Sequence, residues 1–252
     1  MLLKAQNIVK YYGSKTHLIK VLDNINFSAD KGEFIAVMGA SGSGKTTLLN
    51  CLSTVDNVSA GQIFIGGEDI TRLKKKDIAR FRRENIGFIF QEYNLLDVLT
   101  IEENISLPLT VQEVSPTEIC NKVLKVAEGL GIKDILSKFP PEVSGGEAQR
   151  CACARAVISE PQIIFADEPT GALDSKSSIT LLNLMSKLNS ELSSTIFMVT
   201  HDPMAASYAK RVLFIKDGNI FNEIYRGNKT QSTLHHEVLD VLSLLGGDTN
   251  AV

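Results

Sequence analysis

No uncharged apolar run in the chain approaches the ~20 residues that cross a bilayer, so any role at a membrane has to come through a partner. Charge of one sign is also missing. The formal net charge is −3, from 26 Lys and Arg against 29 Asp and Glu, which gives no general affinity for nucleic acid or anionic lipid. The opening Met1-Leu2-Leu3-Lys4-Ala5-Gln6 lacks a signal-peptide layout, so a cytosolic location is expected. Cysteine is scarce and badly spaced for crosslinks. Cys51 and Cys120 are isolated, and Cys151 and Cys153 lie two apart on a predicted helix, where their side chains diverge. No second Cys/His pair completes a zinc site. The cysteines read as small apolar thiols in a reducing compartment. Internal repeats and low-complexity segments are absent as well. With 252 residues, 44% hydrophobic and 22% charged, the chain has the balance of a soluble globular protein with a sizeable core, as one large domain or two modest ones.

The residues that are present centre on Gly39-Ala40-Ser41-Gly42-Ser43-Gly44-Lys45-Thr46, which fits G-x-x-x-x-G-K-[ST] at every fixed position. Before it, Phe34-Ile35-Ala36-Val37-Met38 reads as a buried strand. After it, Thr47-Leu48-Leu49-Asn50-Cys51-Leu52 reads as the first turns of a helix. Strand, loop and helix in that order separate a phosphate loop from a chance match. The glycines remove side chains so that the backbone can curl round a phosphate. Its N–H groups and the positive end of the helix dipole then face the anion. Lys45 is placed to reach the β- and γ-phosphates, and the Thr46 hydroxyl to ligate Mg²⁺.

Residues 1–38 read as strands and turns, with Asp30-Lys31-Gly32 turning into the strand before the loop. Tyr11 and Tyr12 precede Gly13. A tyrosine there either stacks on a base or packs at a sheet edge, and packing is the plainer reading of the residues alone. Gln62-Ile63-Phe64-Ile65 and Ile86-Gly87-Phe88-Ile89-Phe90 are candidate strands around a basic helix from roughly Lys74 to Arg83, whose charges form a solvated face. Gln91 follows directly, at a strand's carboxyl end, where open α/β sheets place ligand groups. From 92 to 142 the pattern is helical. Thr100 caps a helix starting at Ile101, a second helix runs from Pro116 to Leu130, and Phe139-Pro140-Pro141 closes the segment. Ser144-Gly145-Gly146-Glu147 opens a helix to about Ser159. Two readings stand for this turn: a capping box between Ser144 and Glu147, or a second phosphate site, since the glycines weaken the first turn and leave its N–H groups open.

Ile163-Ile164-Phe165-Ala166-Asp167-Glu168 is an apolar strand ending in two carboxylates. Asp167 suits a second contact to Mg²⁺, and Glu168 is placed to orient or deprotonate an attacking water. Thr195-Ile196-Phe197-Met198-Val199-Thr200 is another buried strand, ending at His201-Asp202. His201 is either structural or a γ-phosphate contact, and the residues leave both open. Arg211 to Lys216 and Asn219 to Ile224 form a hairpin about Asp217-Gly218. Past Gly227 the composition turns polar. Leu234, Val238, Leu242 and Leu245 then fall at helical spacing as far as Gly246-Gly247, a helix that packs on the domain or on a partner.

Taken together, these residues resemble the ATP-binding cassette (ABC) family. The resemblance covers about residues 1–226 and rests on six motifs in family order. Gly39 to Thr46 is the Walker A loop, Gln91 the Q-loop, Ser144-Gly145-Gly146-Glu147 the signature, Asp167-Glu168 the close of Walker B, Ala172-Leu173-Asp174 the D-loop and His201 the switch histidine. Val143 and Glu147 replace the commonest Leu and Gln of the signature. Glu147 sets a negative charge near a phosphate, which would weaken ATP-driven dimerisation. Cys151 and Cys153 fall at apolar family positions. The stretches Phe90 to Leu96, Phe165 to Ser175 and Met198 to Tyr208 are similar to the Bce-type ATPases. Those serve a large permease in Gram-positive bacteria, in a group that confers resistance to bacitracin, nisin and related cell-wall-targeting peptides and often signals with a histidine kinase. The broader relatives are the mechanotransmission transporters, including macrolide export and lipoprotein release. Phe139-Pro140-Pro141-Glu142 stands in place of the exporter X-loop, as suits that group.

The resemblance implies an α/β fold: a P-loop NTPase cassette with a RecA-like mixed sheet core, an antiparallel β subdomain and an inserted α-helical subdomain. The cassette is expected over 1–226, with the helical subdomain at about 92–160, followed by an extension over 227–252 with an amphipathic helix. It implies an ATPase that uses ATP and Mg²⁺ and works as a head-to-tail dimer. Tyr12 then stacks on adenine. Gly39, Ala40, Ser41, Gly42, Ser43, Gly44, Lys45, Thr46 and Thr47 bind ATP, with Asp174 and with Ser144, Gly145 and Gly146 of a second copy. Thr46, Gln91 and Asp167 hold the metal, and Glu168, His201, Gln91 and Lys45 carry catalysis. The expected partners are a second copy, an integral membrane permease met through residues 92–142 and, through the permease, a sensor histidine kinase. Nucleic acid is not expected. The chain would lie at the inner face of the cell membrane. Two rivals share part of the pattern. Soluble cassettes that act on DNA or ribosomes usually carry long coiled coils or two cassettes, and neither is present. A regulatory module that signals to a kinase with little transport would use the same motifs.

Overall fold

The computed structural model describes residues 1–14 and 17–246. Strand β3 (Phe34–Met38) is buried at all five positions. Its side chains alternate between two cores, Ile35 and Val37 on one face and Phe34, Ala36 and Met38 on the other. Strands covered on both faces read as continuous apolar runs, and β7 (Ile163–Asp167) and β8 (Thr195–Val199) share this character. With β6 (Ile86–Ile89), β9 (Arg211–Lys216) and β10 (Asn219–Tyr225) they form a six-stranded sheet in the order β10-β9-β3-β8-β7-β6. All neighbours in it are parallel except β10 on β9. That hairpin turns at Asp217 (φ 49°) and Gly218 (φ 77°), both left-handed, as a two-residue turn matched to strand twist requires. Because the parallel strands run one way, β3, β6, β7 and β8 end on one edge, and the loops after them meet there.

A second, antiparallel sheet lies over this one: β1 (Leu3–Ser14), β2 (His17–Ala29), β4 (Ala60–Ile65) and β5 (Glu68–Asp69), in the order β2-β1-β4-β5. The core between the sheets packs Leu3, Ile8, Leu22 and Ile25 against Val37, Phe165 and Phe197, with Leu48, Leu49 and Leu52 of helix α1 (Lys45–Leu52). Phe197 stacks on Phe27 at 5.7 Å and meets Phe165 edge-on at 5.8 Å. Each such side chain contributes about 1.5–3 kcal/mol by burial. Helix α2 (Lys75–Asn85) buries Phe81 in the same core, and its Arg82 donates to the Thr54 carbonyl at 2.6 Å. The other face of the main sheet is covered by α6 (Ser175–Leu192) through Leu181, Leu182 and Met185, by the short α7 (Pro203–Ala206), and by α8 (Gln231–Gly246) through Leu234, Val238 and Val241. Helix α8 thus packs on its own chain; the expected Gly247 at its end lies outside the described residues.

A third core joins α3 (Ile101–Val111), α4 (Pro116–Gly129) and α5 (Gly145–Val157). Thr100 caps α3 in a capping box: it accepts from the Glu103 N–H at 3.2 Å while Glu103 accepts from the Thr100 N–H at 2.7 Å. Helix α5 faces two ways. Cys151 and Ala154 enter this core, whereas Cys153 and Ala156 enter the one under the main sheet. Burial pushes both thiols up to about 12, so they are inert apolar filling. Cys120, on the outer side of α4, is exposed, unlike the other three. Among the described residues no helix is long and apolar enough to cross a membrane.

Candidate active site

The Gly39–Thr46 loop joins β3 to α1 and is shaped by close approaches. A Cβ on Gly39 would come within 2.2 Å of the Ile215 carbonyl oxygen. One on Gly44, which has φ 104°, would come within 2.8 Å of the Val21 carbonyl. Only glycine fits either place. The β9–β10 turn buttresses the loop: the Gly218 N–H donates to the Ser43 carbonyl at 3.2 Å, and the Gly218 carbonyl accepts from the Asp23 N–H at 2.8 Å. Gly44 opens α1 with no side-chain cap, which leaves the first N–H groups of the helix to a ligand. The buried Lys45 donates to the loop's own carbonyls, Gly39 at 3.0 Å and Ala40 at 2.9 Å. Burial lowers its pKa, and the facing Glu168 and Asp167 oppose that shift. Ser43 Oγ is buried without a partner, a vacancy in hydrogen bonding that a phosphate oxygen would fill. Ala40, Ser41 and Gly42 form the exposed tip, and Thr46 and Thr47 lie in the first turn of α1.

Neighbouring strands bring the acidic pair to this loop. Asp167 pairs with Val199 in the sheet, and the Glu168 N–H donates to the Val199 carbonyl at 2.9 Å. Glu168 then turns out of the strand with φ 47°, and the Gly171 N–H closes the turn on its carbonyl at 2.9 Å. A non-glycine residue in the left-handed region is uncommon and gathers at functional sites. The turn aims the carboxylate at His201: Glu168 Oε2 lies 2.9 Å from His201 Nδ1 and accepts from the His201 N–H at 3.3 Å. Glu168 is 17% exposed and His201 73%, so the ring is the outer member of the pair.

The Thr46 hydroxyl donates to Asp167. Burial raises the Asp167 carboxyl above its ordinary value and the Glu168 charge adds to this, against Thr46 and Lys45. Its Oδ1 is buried without a partner. An unsatisfied carboxylate oxygen beside a hydroxyl is a donor set for a hard cation. No group of three or more His, Cys, Asp or Glu among the described residues could hold a metal ion alone, so a cation here would complete its shell with phosphate oxygens and water, as Mg²⁺ does. Gln91, exposed after β6, lies along the same edge. Its Nε2 would be 3.0 Å from a Cβ on Gly171.

The Ser144 turn is built differently. The capping box is complete: Ser144 accepts from the Glu147 N–H at 3.4 Å, and Glu147 Oε2 accepts from the Ser144 N–H at 2.8 Å and from its hydroxyl at 2.7 Å. Those bonds hold the Glu147 carboxyl below its ordinary value. The two glycines therefore do not spoil the cap; both sit inside α5. A Cβ on Gly145 would be 2.8 Å from Tyr93 Oη, and one on Gly146 3.0 Å from Ser177 Oγ. Asp174 caps α6, accepting from the N–H groups of Lys176 and Ser177 at 2.9 Å each. The structure thus brings Lys45, Thr46, Asp167, Glu168 and His201 together and sets Ser144, Gly145, Gly146 and Asp174 in a second group. Among the described residues no hydrogen bond or ion pair joins the Ser144 turn to the Gly39–Thr46 loop.

Tyr12, 40% exposed, stands beside the start of α1. Its hydroxyl donates to Asp56 Oδ2 at 2.6 Å and also bonds the Thr47 side chain. Three supporting residues escape sequence reasoning. Gln149, fully buried on α5, donates to the Pro169 carbonyl at 2.7 Å and the Phe90 carbonyl at 3.3 Å, tying the Ser144 helix to the ends of β6 and β7. Buried Asn104 donates to the Leu96, Leu99 and Thr100 carbonyls and accepts from the Leu96 N–H, and Arg155 donates to the Tyr93 and Asn94 carbonyls. Together they clamp the loop after Gln91. A polar residue inside an apolar helical stripe, such as Asn104 between Ile101 and Ile105, is the signal that marks such a clamp.

Residues 22–171 match the family described as ABC transporter. The chain belongs to the ABC transporter family. As an ABC ATPase it binds and hydrolyses ATP. It is 52% identical over 249 residues to the bacitracin export ATP-binding protein BceA of Halalkalibacterium halodurans, covering 99% of this chain and 98% of that one. It is 51% identical over 249 residues to the ABC transporter ATP-binding protein YxdL of Bacillus subtilis, covering 99% and 96%. Among solved structures, the cassette MJ0796, a dimer in a post-hydrolysis state bound to ADP and Pi, superposes with a TM-score of 0.82 at 36% identity, covering 89% of this chain and 98% of the other. The mixed sheet, antiparallel sheet and helices are therefore those of an ABC cassette.

Proposed function

We propose that this ABC ATPase drives a membrane permease that removes, or confers resistance to, cell-wall-targeting antimicrobial peptides, and that it works from the inner face of the membrane through that permease. The observation that carries the reading is the 52% identity, over nearly the whole of both chains, to a protein named for bacitracin export. In this account ATP lies with its base on Tyr12 and its phosphates in the Gly39–Thr46 loop. Lys45 exchanges its bonds to the Gly39 and Ala40 carbonyls for β- and γ-phosphate oxygens, with the loop N–H groups and the Ser43 hydroxyl. Thr46, Gln91 and Asp167 would hold Mg²⁺, which when bound neutralises charge building on the phosphates. Glu168 accepts the proton of the attacking water, and His201, anchored by Glu168, bridges to the γ-phosphate. The Ser144 turn and Asp174 of a second copy close the site, because the chain's own Ser144 turn makes no bond to its own loop. Catalysis is positioning and charge stabilisation. The helical segment 92–142 would carry the permease contact, and a sensor histidine kinase would be reached through the permease.

The test is a pull-down of the tagged chain from detergent-solubilised membranes, with ATPase activity assayed on the eluate. Co-elution of a large permease, with activity that Glu168→Gln removes and with bacitracin sensitivity in cells lacking the chain, is the expected result. Recovery of the chain alone, or with ribosomes or DNA, would overturn the permease assignment.

A further inference from the structure

Tyr12 is tied into a group of side chains that no phosphate-binding role requires. Its hydroxyl donates to Asp56 Oδ2 at 2.6 Å. The other Asp56 oxygen, Oδ1, accepts from the Lys10 ammonium at 2.7 Å and from the Asn57 N–H at 2.7 Å. Lys10 is buried and also donates to the Asn57 carbonyl at 2.6 Å. From there its Nζ sits over the Tyr12 ring, 4.7 Å from the centroid. One face of the ring is therefore occupied by a cation, so a flat ligand would have to stack on the opposite face of this partly exposed ring.

Asp56 is itself fixed to the phosphate-binding helix. The N–H groups of Val55 and Asp56 donate to the Asn50 carbonyl of α1 at 2.9 and 3.0 Å. The same helix thus carries the phosphate loop at its first turn and, near its end, the anchor of the carboxylate that grips Tyr12. Without that grip an exposed tyrosine at a strand end would sample several rotamers, and a ligand would bear the cost of fixing one.

We infer that Asp56 is a positioning residue for the nucleobase. It locks the Tyr12 ring through the hydroxyl, holds Lys10 beneath it, and sets the spacing between base platform and phosphate loop through α1. This rests on the reading of Tyr12 as the base platform. The lock acts on ligands that carry a base and not on the phosphates alone.

The experiment measures the Kd of ATP and of inorganic tripolyphosphate for the wild type, Asp56→Asn, Tyr12→Phe, their double variant and Tyr12→Ala. Asp56→Asn and Tyr12→Phe are each expected to weaken ATP about three- to tenfold, the worth of one side chain left to be immobilised. The double variant is expected to be no weaker than either single one, and tripolyphosphate to bind all five proteins alike. If Tyr12→Ala weakens ATP but Asp56→Asn and Tyr12→Phe do not, the lock is wrong and the base platform stands. If Tyr12→Ala leaves ATP unchanged, the base platform itself is wrong. Equal loss of ATP and tripolyphosphate in Asp56→Asn would make Asp56 a structural support only, and overturn the inference. Should Asp56→Asn not fold, Tyr12→Phe, which deletes one partly exposed hydroxyl, decides the same question.

Discussion

Two helices of this cassette begin at glycine-rich turns, and they begin in opposite states. Helix α1 opens at Gly44 with no side-chain cap and no acid in its first turn. Helix α5 opens at Ser144 with a complete capping box and Glu147 in its first turn. An uncapped N-terminus leaves N–H groups that must find a partner, and in the proposed account ATP bound by the same chain supplies it at α1. Around it Lys45, Thr46, Asp167, Glu168 and His201 already stand in contact, because parallel strands end on one edge. At α5 the chain satisfies its own donors. In the proposed account a phosphate bound by a second copy would take the Ser144 hydroxyl from Glu147, an exchange that is feasible because a cap of this kind is worth only about 1 kcal/mol and a phosphate is the more highly charged acceptor. On that account one turn is organised for a ligand of its own chain and the other is kept for the site of a second copy.

The largest effect belongs to the first region. Glu168→Gln should lower turnover by about 10²–10⁴-fold while ATP binding, measured by titration, is retained. Normal turnover would break the view that the Glu168–His201 pair is the reacting group. Asp167→Asn should abolish activity yet stabilise the nucleotide-free chain. The sign follows from linkage. Burial raises the folded carboxyl above its ordinary value, so the folded chain binds that proton more tightly than the unfolded one. The stability this gives is full below the ordinary range near 3.8 and is lost as pH rises through the raised folded value, so at neutral pH the ionised group is a burden. A higher melting temperature for Asp167→Asn at neutral pH, with the gain shrinking in acid, is expected, and an unchanged or lower one at neutral pH would contradict it. In the second region the effects are smaller. Glu147→Gln should tighten ATP-driven dimerisation by about three- to tenfold by removing a like charge, and cost the monomer about 0.3–1 kcal/mol in its helix terminus. Unchanged dimerisation by light scattering would show that Glu147 does not compete with the phosphate.

The contrast also separates what was legible in the sequence from what was not. Gly39–Thr46, β3, β7 and β8 could be read directly, since strands buried on both faces are unbroken apolar runs and the loop's glycines are fixed by backbone approach. The Thr100 and Ser144 caps and the Asp217-Gly218 hairpin were equally local. Helix α6, with 18 residues, has no counterpart in the sequence reading. Its first turn is rich in serine, which blurs the start even though Asp174 is a cap. Helix α5 ends at Val157, short of the expected Ser159. The left-handed turn at Glu168 is imposed by the Val199 carbonyl across the sheet and by Gly171, not by any preference of glutamate. The Lys10–Asp56–Tyr12 group was out of reach, because its members meet across 46 and 44 residues of chain. The clamps of Gln149 and Asn104 likewise depend on carbonyls that only the fold brings near.

The most direct test of the division between the two turns is the mass of the ATP complex of Glu168→Gln, with and without Ser144→Ala, alongside ATP affinity at concentrations where the chain is monomeric. The account predicts an ATP-dependent dimer for Glu168→Gln, its loss when Ser144→Ala is added, and unchanged ATP affinity of the monomer. A dimer that survives Ser144→Ala, or a monomer that loses ATP with it, would contradict the claim that the Ser144 turn serves the site of a second copy.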